Sequence, residues 1–313
     1  MLGKTAGGLF WMFRYLERSE NTARLIEAGF RMALTRPDGT DDEWASVLQT
    51  ASAAKGYSDR HGDVEATKVI DFLLRDPSNP SAVLSSIAAA RQNARLVRTA
   101  ITREVWEAVN DTYMILKQAL ARPVQARNLP EVLGLIRQQS ALVRGALHGT
   151  MLRNDVFDFA RIGTFLERAD NTARILDVKY YVLLPSINQI GSSLDNVQWE
   201  TILRSVAGQR AYRWVDKGEP NPKGIAEFLI FDGRMPRSLT FSIGKIATNL
   251  GYLQAEYGVR HDSQAMVEEI SARLDRLTID RVFEDGLHEF LLTMLQQINA
   301  LGGQISDDYR FLG

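Results

Sequence analysis

The string Glu17-Arg18-Ser19-Glu20-Asn21-Thr22-Ala23-Arg24 has residue types and spacing that could do chemistry. It returns as Glu167-Arg168-Ala169-Asp170-Asn171-Thr172-Ala173-Arg174. On a helix, Arg14, Glu17, Arg18, Asn21 and Arg24 share an arc of about 120°. Leu16, Ala23, Ile26 and Phe30 lie opposite. Arginines one and two turns apart present planar forks suited to a carboxylate or phosphate. A glutamate in the same stripe could act as a base or hold Mg²⁺. In the second copy Glu167, Arg168, Asn171 and Arg174 form the same stripe, and Thr164 replaces Arg14.

Two plainer readings stand beside that one. Glu20–Arg24 and Asp170–Arg174 are i,i+4 pairs in the favourable order, as on many solvated helix faces. A solvated face tolerates Lys for Arg and Gln for Asn, yet both copies keep the same Glu, Asn and two Arg. The stripe could instead be a buried network in which Arg forks onto Glu and Asn ties helices together. Ligand site and buried network both remain open at this stage.

Other motifs fail. The four histidines, His61, His148, His261 and His288, form no Glu-x-x-His pair, so the di-iron bundle pattern is missing and no metal site is expected. His288-Glu289 lacks a zincin's second histidine. There is no Walker A sequence and no G-x-G-x-x-G, and nothing names a cofactor. Gly302-Gly303 reads as a helix terminator. Trp11, Trp44, Trp106, Trp199 and Trp214 read as core.

The elements that must carry these residues are helices. Apolar steps of three and four predict a helix from Leu9 to Leu34, ended by Pro37-Asp38-Gly39. Further helices are expected at 42–55 and 64–74. A long one at 80–120 would have Asn79 as its cap and Pro80 as its first residue. Another is expected at 130–148. The second half repeats the plan at 157–184, 197–214, 224–231, 236–256, 263–277 and 281–305, with a loop at 218–223. No run shows the period of a strand.

The halves match along most of their length. Trp44 answers Trp199, Tyr57 answers Tyr212, Pro80 answers Pro236, Asn93 answers Asn249 and Gln138-Gln139 answers Gln296-Gln297. The offset drifts from 150 to 158. The expected architecture is an all-α helical bundle of two tandem repeats, 1–150 and 151–313, about a pseudo-two-fold axis and packed as one compact unit. The boundary falls near Gly149–Asn154.

Composition sets the outer limits. The 313 residues are 45% hydrophobic and 24% charged, with net charge -1 and no cysteine. That balance gives no electrostatic case for nucleic acid. The absence of cysteine excludes disulfides and thiolate catalysis and fits a reducing compartment. No apolar stretch of about 18 residues predicts a membrane span. The expected location is the cytoplasm.

The opening LFWMFRYLERSENTARLIEAGFRMAL, with RIGTFLERADNTARILD as its internal copy, resembles the bacterial alpha-E family over essentially the full chain. The resemblance implies an all-α fold. It also implies genomic company: a circularly permuted ATP-grasp protein, a transglutaminase-like protein and, in some clusters, a proteasome-related peptidase. It places the chain in peptide or amide-bond synthesis or modification. The chain shows no ATP-grasp region, so ligase activity would need a partner. The family's motif positions fall on Glu17, Arg18, Asn21 and Arg24, and on Glu167, Arg168, Asn171 and Arg174. Three functions follow as expectations: a substrate-handling component of an ATP-grasp-linked system, an independent transferase-like enzyme, or a structural scaffold.

Overall fold

The first helix, α1 (Gly3–Ala33), has no proline and no interior break. The computed structural model to which it belongs describes residues 1–34, 41–182, 193–215, 218 and 220–311. After α1 come α2 (Asp41–Thr50), α3 (Ala54–His61), α4 (Ala66–Leu74), α5 (Val83–Leu96), α6 (Arg103–Ala119) and α7 (Leu129–Thr150). The chain continues with α8 (Asp155–Val182), α9 (Ser193–Ser205), α10 (Gln209–Val215), α11 (Pro222–Phe231) and α12 (Leu239–Tyr257). It closes with α13 (Asp262–Arg276), α14 (Ile279–Asp285) and α15 (Leu287–Asp308). Among the described residues there is no strand, so the fold is all-α. Among the described residues no helix is long and apolar enough to cross a membrane.

The two motif helices touch. α1 packs along α8, and also on α5 and α7; α8 packs on α12 and α15 as well. Shorter helices reach across, α2 to α8 and α9 to α1. Leu9, Phe10, Met12 and Phe13 of α1 and Phe159, Ile162 and Phe165 of α8 are buried. Where the helices cross, a Cβ on Gly163 would stand 2.2 Å from the Phe10 carbonyl oxygen. Only glycine allows that approach.

Several expected helices are broken. The long helix at 80–120 is two, α5 and α6. α5 ends at Val97, whose N–H returns to the Asn93 carbonyl, and Thr102 caps α6 by accepting from the Val105 N–H at 3.4 Å. Asn79 caps a turn rather than a helix: its Oδ1 accepts from the Ser81 N–H at 3.0 Å, and α5 starts only at Val83. Likewise Pro236 precedes the start of α12, which Ser238 caps. The helices expected at 42–55 and 197–214 divide at Ser52 (φ 53°) and Ala207 (φ 56°), left-handed residues that turn the chain. Gly286 (φ 104°) divides the one expected at 281–305.

Two single-residue expectations also change. Gly302-Gly303 lies inside α15, where a Cβ on Gly302 would meet Leu166 Cδ2 at 2.8 Å, so Gly302 makes room rather than ending a helix. Trp214 is 81% exposed, and Trp11 and Trp106 are half-buried; only Trp44 and Trp199 are core. α1 starts six residues earlier than Leu9. Pro37-Asp38-Gly39 lies outside the described residues, as does part of the loop at 218–223.

Candidate functional site

The polar stripe of each motif helix faces the other helix, not water. Glu17 is 1% exposed and Glu20 is fully buried. Arg168 of α8 forks onto Glu17 of α1, Nε to Oε1 and NH2 to Oε2, both at 2.9 Å. Arg18 of α1 forks onto Glu167 of α8, Nε to Oε1 at 2.6 Å and NH2 to Oε2 at 3.0 Å. Each helix thus gives an acid and receives a guanidinium through the same adjacent pair of positions. Asn21 adds a bond from Nδ2 to the Glu167 carbonyl at 3.4 Å. Such bidentate pairs fix orientation as well as charge.

The last arginine of each stripe folds back on its own helix and then crosses over. Arg24 donates from Nε to Glu20 at 3.0 Å and from NH1 to the Ser205 carbonyl at 2.7 Å. Arg174 donates from Nε to Asp170 at 2.6 Å and from NH1 to Ser52 Oγ at 2.7 Å. Both therefore end on the turns that follow α2 and α9, the turns shaped by Ser52 and Ala207.

Around Glu17 and Glu20 the network is closed. Arg237, 6% exposed, donates to Glu20 Oε1 at 2.5 Å and to Asn21 Oδ1 at 3.2 Å, and lies 3.1 Å from Glu17 Oε1. Arg144 of α7 spans Glu17 and Glu20 with NH1. Arg237 is aimed by its turn. Thr172 donates to the Arg237 carbonyl at 2.8 Å, and Ser238 Oγ both donates to the Asp232 carbonyl and accepts from the Phe241 N–H.

Around Glu167 and Asp170 it is open. Ser81 stands in the matching turn before α5, and its side chain reaches no carboxylate. A cavity of about 200 Å³ remains, lined by Arg14, Arg18, Arg174, Asn171, Thr50, Ser81 and the two carboxylates, among others. Arg14 commits only Nε, to Glu167 Oε2 at 2.9 Å. Asn171 Nδ2 and Thr50 Oγ1 are buried with no hydrogen-bond partner, in residues 7% and 5% exposed. Buried polar atoms of this kind are normally satisfied, so they point to a missing partner. The carboxylates are already forked by Arg18 and Arg174, so the free groups are mainly donors. The lining suits a small anion.

The electrostatics separate acid from catalyst. Burial alone would raise the Glu17 carboxyl; Arg168, Arg237 and Arg144 outweigh it and hold it well below the usual range. Burial likewise opposes, and Arg14 and Arg18 overcome it, at Glu167. Arg237 shows the cost of concentration: burial first, and the nearby cations Arg24 and Arg168, push it down to about 9 despite Glu17. Carboxylates pinned this way are poor proton acceptors near neutral pH. Among the described residues no group of three or more His, Asp or Glu could hold a metal ion.

All eight sequence-derived candidates, Glu17, Arg18, Asn21, Arg24, Glu167, Arg168, Asn171 and Arg174, lie in or beside this one network. Sequence reading missed Arg237 and Arg144. Alignment of Pro80-Ser81 with Pro236-Arg237, and of Arg144 with Gly302, carries the signal for both, because a cation in one half faces a small residue in the other.

Fold and site together define an all-helical protein organised on paired Glu-Arg dipeptides. The chain belongs to the Alpha-E family: residues 1–310 match it, and the family is described as a predicted alpha-helical domain with a conserved ER motif. An uncharacterized protein of Mycobacterium bovis is 24% identical over 320 residues, covering 96% of this chain and 35% of its own length. One of Mycobacterium tuberculosis (strain H37Rv) is 23% identical over the same span and shares. The chain thus spans about a third of the length of the curated relatives it matches. No solved structure matches it.

Proposed function

We propose that this Alpha-E chain is a substrate-handling component of an ATP-grasp-linked system that forms or modifies peptide or amide bonds. One observation carries the reading: the motif carboxylates are engaged in holding α1 to α8, while a donor-lined cavity stays open beside one of them. A holder of anionic substrate needs that cavity and no free base. The family resemblance supplies the ATP-grasp partner and a transglutaminase-like neighbour. The length of the relatives fits a module that works alongside other polypeptide.

The molecule is read as two tandem repeats about a pseudo-two-fold axis. The exchange of Glu17–Arg168 for Glu167–Arg18 supports this, as does the pairing of α1 with α5 and α7 against α8 with α12 and α15. On that reading the motif is the joint between repeats.

An independent transferase using Glu17 or Glu167 as base fits less well, since both oxygens of each are bonded to guanidinium. A pure scaffold fits less well because Asn171 and Thr50 are left unpaired beside a cavity. The test is co-expression with a circularly permuted ATP-grasp partner, followed by co-purification and an assay for ATP-dependent amide formation. The expected result is a stable pair whose turnover falls in Ser81→Arg, with the pair intact. No association, and no change of turnover when the chain is omitted, would overturn the reading.

A further inference from the structure

A second cavity lies behind the closed half of the network. Thr164 occupies the motif-helix position that carries Arg14 in α1, and it lines this cavity. The cavity has a volume of about 240 Å³ and is lined chiefly by Arg144, His148, Arg161, Thr164, Phe165 and Arg168. No carboxylate lines it.

Arg161 is the exceptional residue. Among the described residues it makes no ion pair; its NH1 lies 3.1 Å from His148 Nε2 and its guanidinium 4.4 Å from the Phe165 ring centre. Burial, with Arg168 and Arg153 nearby, pushes it down to about 10 against the pull of Asp158. His148 is also held low, by burial first and then by Arg161, Arg153, Arg144 and Arg168. Neutral His148 can therefore accept from Arg161. Arg153 donates to the His148 and Met151 carbonyls, so the α7 end that would repel an anion is covered by a cation.

Charge bookkeeping points the same way. Arg24, Arg144, Arg168 and Arg237 surround only Glu17 and Glu20, and Arg161 adds one more cation. That is a local excess of three positive charges. Arg144 commits only NH1 to the network, leaving the rest of its fork for a ligand. Guanidinium forks match the oxygens of a dianion, and neutral His148, accepting at Nε2, holds the Arg161 fork in place.

We infer that this cavity binds a phosphate-class oxyanion, free phosphate or the phosphoryl group of a small monoester, with Arg161 and Arg144 as its ligands and His148 beside them positioning Arg161. The site is separate from the cavity beside Glu167 and independent of any ATP-grasp partner.

The test is a titration of the purified full chain with inorganic phosphate, phosphoserine and glutamate at constant ionic strength. Imidazole resonances report His148, and calorimetry reports affinity. The expected result is a saturable His148 response to phosphate or phosphoserine. Affinity should weaken about tenfold or more in Arg161→Ala and less in Arg161→Lys, the scale of a lost charge-assisted contact. Because Arg161 is outside the Glu-Arg clasp, the thermal midpoint of Arg161→Ala should stay near wild type. Tighter binding of phosphoserine than phosphate assigns the monoester; the reverse assigns the free ion. Glutamate binding as tightly as both, no saturable response, or an unchanged affinity in Arg161→Ala would each overturn the assignment.

Discussion

Ser81 and Arg237 each stand two residues before the first residue of a long helix, α5 and α12, yet only Arg237 reaches the motif carboxylates. The difference leaves the cavity beside Glu167 open. Ser81→Arg is expected to place a guanidinium against Glu167 and Asp170 and fill the 200 Å³ space. A thermal-shift titration with small carboxylates and phosphate should lose the component owed to that cavity, with the unliganded midpoint lowered by no more than about 2–4 °C, the equivalent of about 1 kcal/mol. An undiminished ligand shift in this variant would mean the ligand sits elsewhere.

Removing one partner of the clasp leaves a buried charge behind. Glu17→Ala and Glu167→Ala are each expected to cost about 3–5 kcal/mol. The double variant Glu17→Ala/Arg168→Ala should be less destabilised than the sum of its parts, because the orphaned guanidinium is gone. Denaturant midpoints of the four-member cycle measure this. Additive losses would show that the pair contributes no coupling.

Acid should weaken the joint first. Glu17, Glu20 and Glu167 lie below their ordinary value of 4.5 in the folded chain despite burial, because guanidiniums outweigh it. Below that value the unfolded chain takes up protons that the folded chain refuses, so stability falls as pH falls from about 4.5 downward. Melts across pH 3–6 should show a steeper acid limb in wild type than in Glu167→Gln. Parallel limbs would remove these carboxylates from the account.

Asp158 works in the opposite sense. Burial, then Glu256 and Asp155, raise its carboxyl to about 7. Between 3.8 and about 7 the folded chain holds a proton the unfolded chain has lost, so this group's contribution declines as pH rises through that window. Asp158→Asn should raise the melting midpoint more at pH 8 than at pH 5. An equal change at both would contradict the raised value.

Gly163→Ala should loosen the α1–α8 crossing. The obstacle is the Phe10 carbonyl, backbone that cannot swing aside. Overpacking of this kind costs about 1–3 kcal/mol. Wild-type stability in urea would mean the helices slide without penalty.

The motif residues were legible in sequence because two copies repeat them at helical spacing. Their destination was not. Arg24 and Arg174 do pair at i,i+4, as on a solvated face, but periodicity says nothing about which surface meets which. The helix breaks were missed for a local reason. Ser52 and Ala207 take left-handed backbone without glycine, and Thr102 caps α6 inside a run that reads as continuous helix. Arg237 lies far from the motif string and Arg161 answers Trp11 in the other copy, so only comparison of unlike positions could have drawn attention to them.

The forked pairs join residues far apart along the polymer: Glu17 to Arg168 across 151 positions, Arg18 to Glu167 across 149 and Glu20 to Arg237 across 217. During synthesis α1 is made first and waits for α8, and then for the turn that carries Arg237. Contacts of such long sequence separation form late and slowly. Until they form, Glu17 and Glu20 have only Arg24 and Arg144 to meet. A nascent chain stalled before α8 therefore leaves Glu17 without its forked partner, and the joint is complete only once the turn carrying Arg237 has been made.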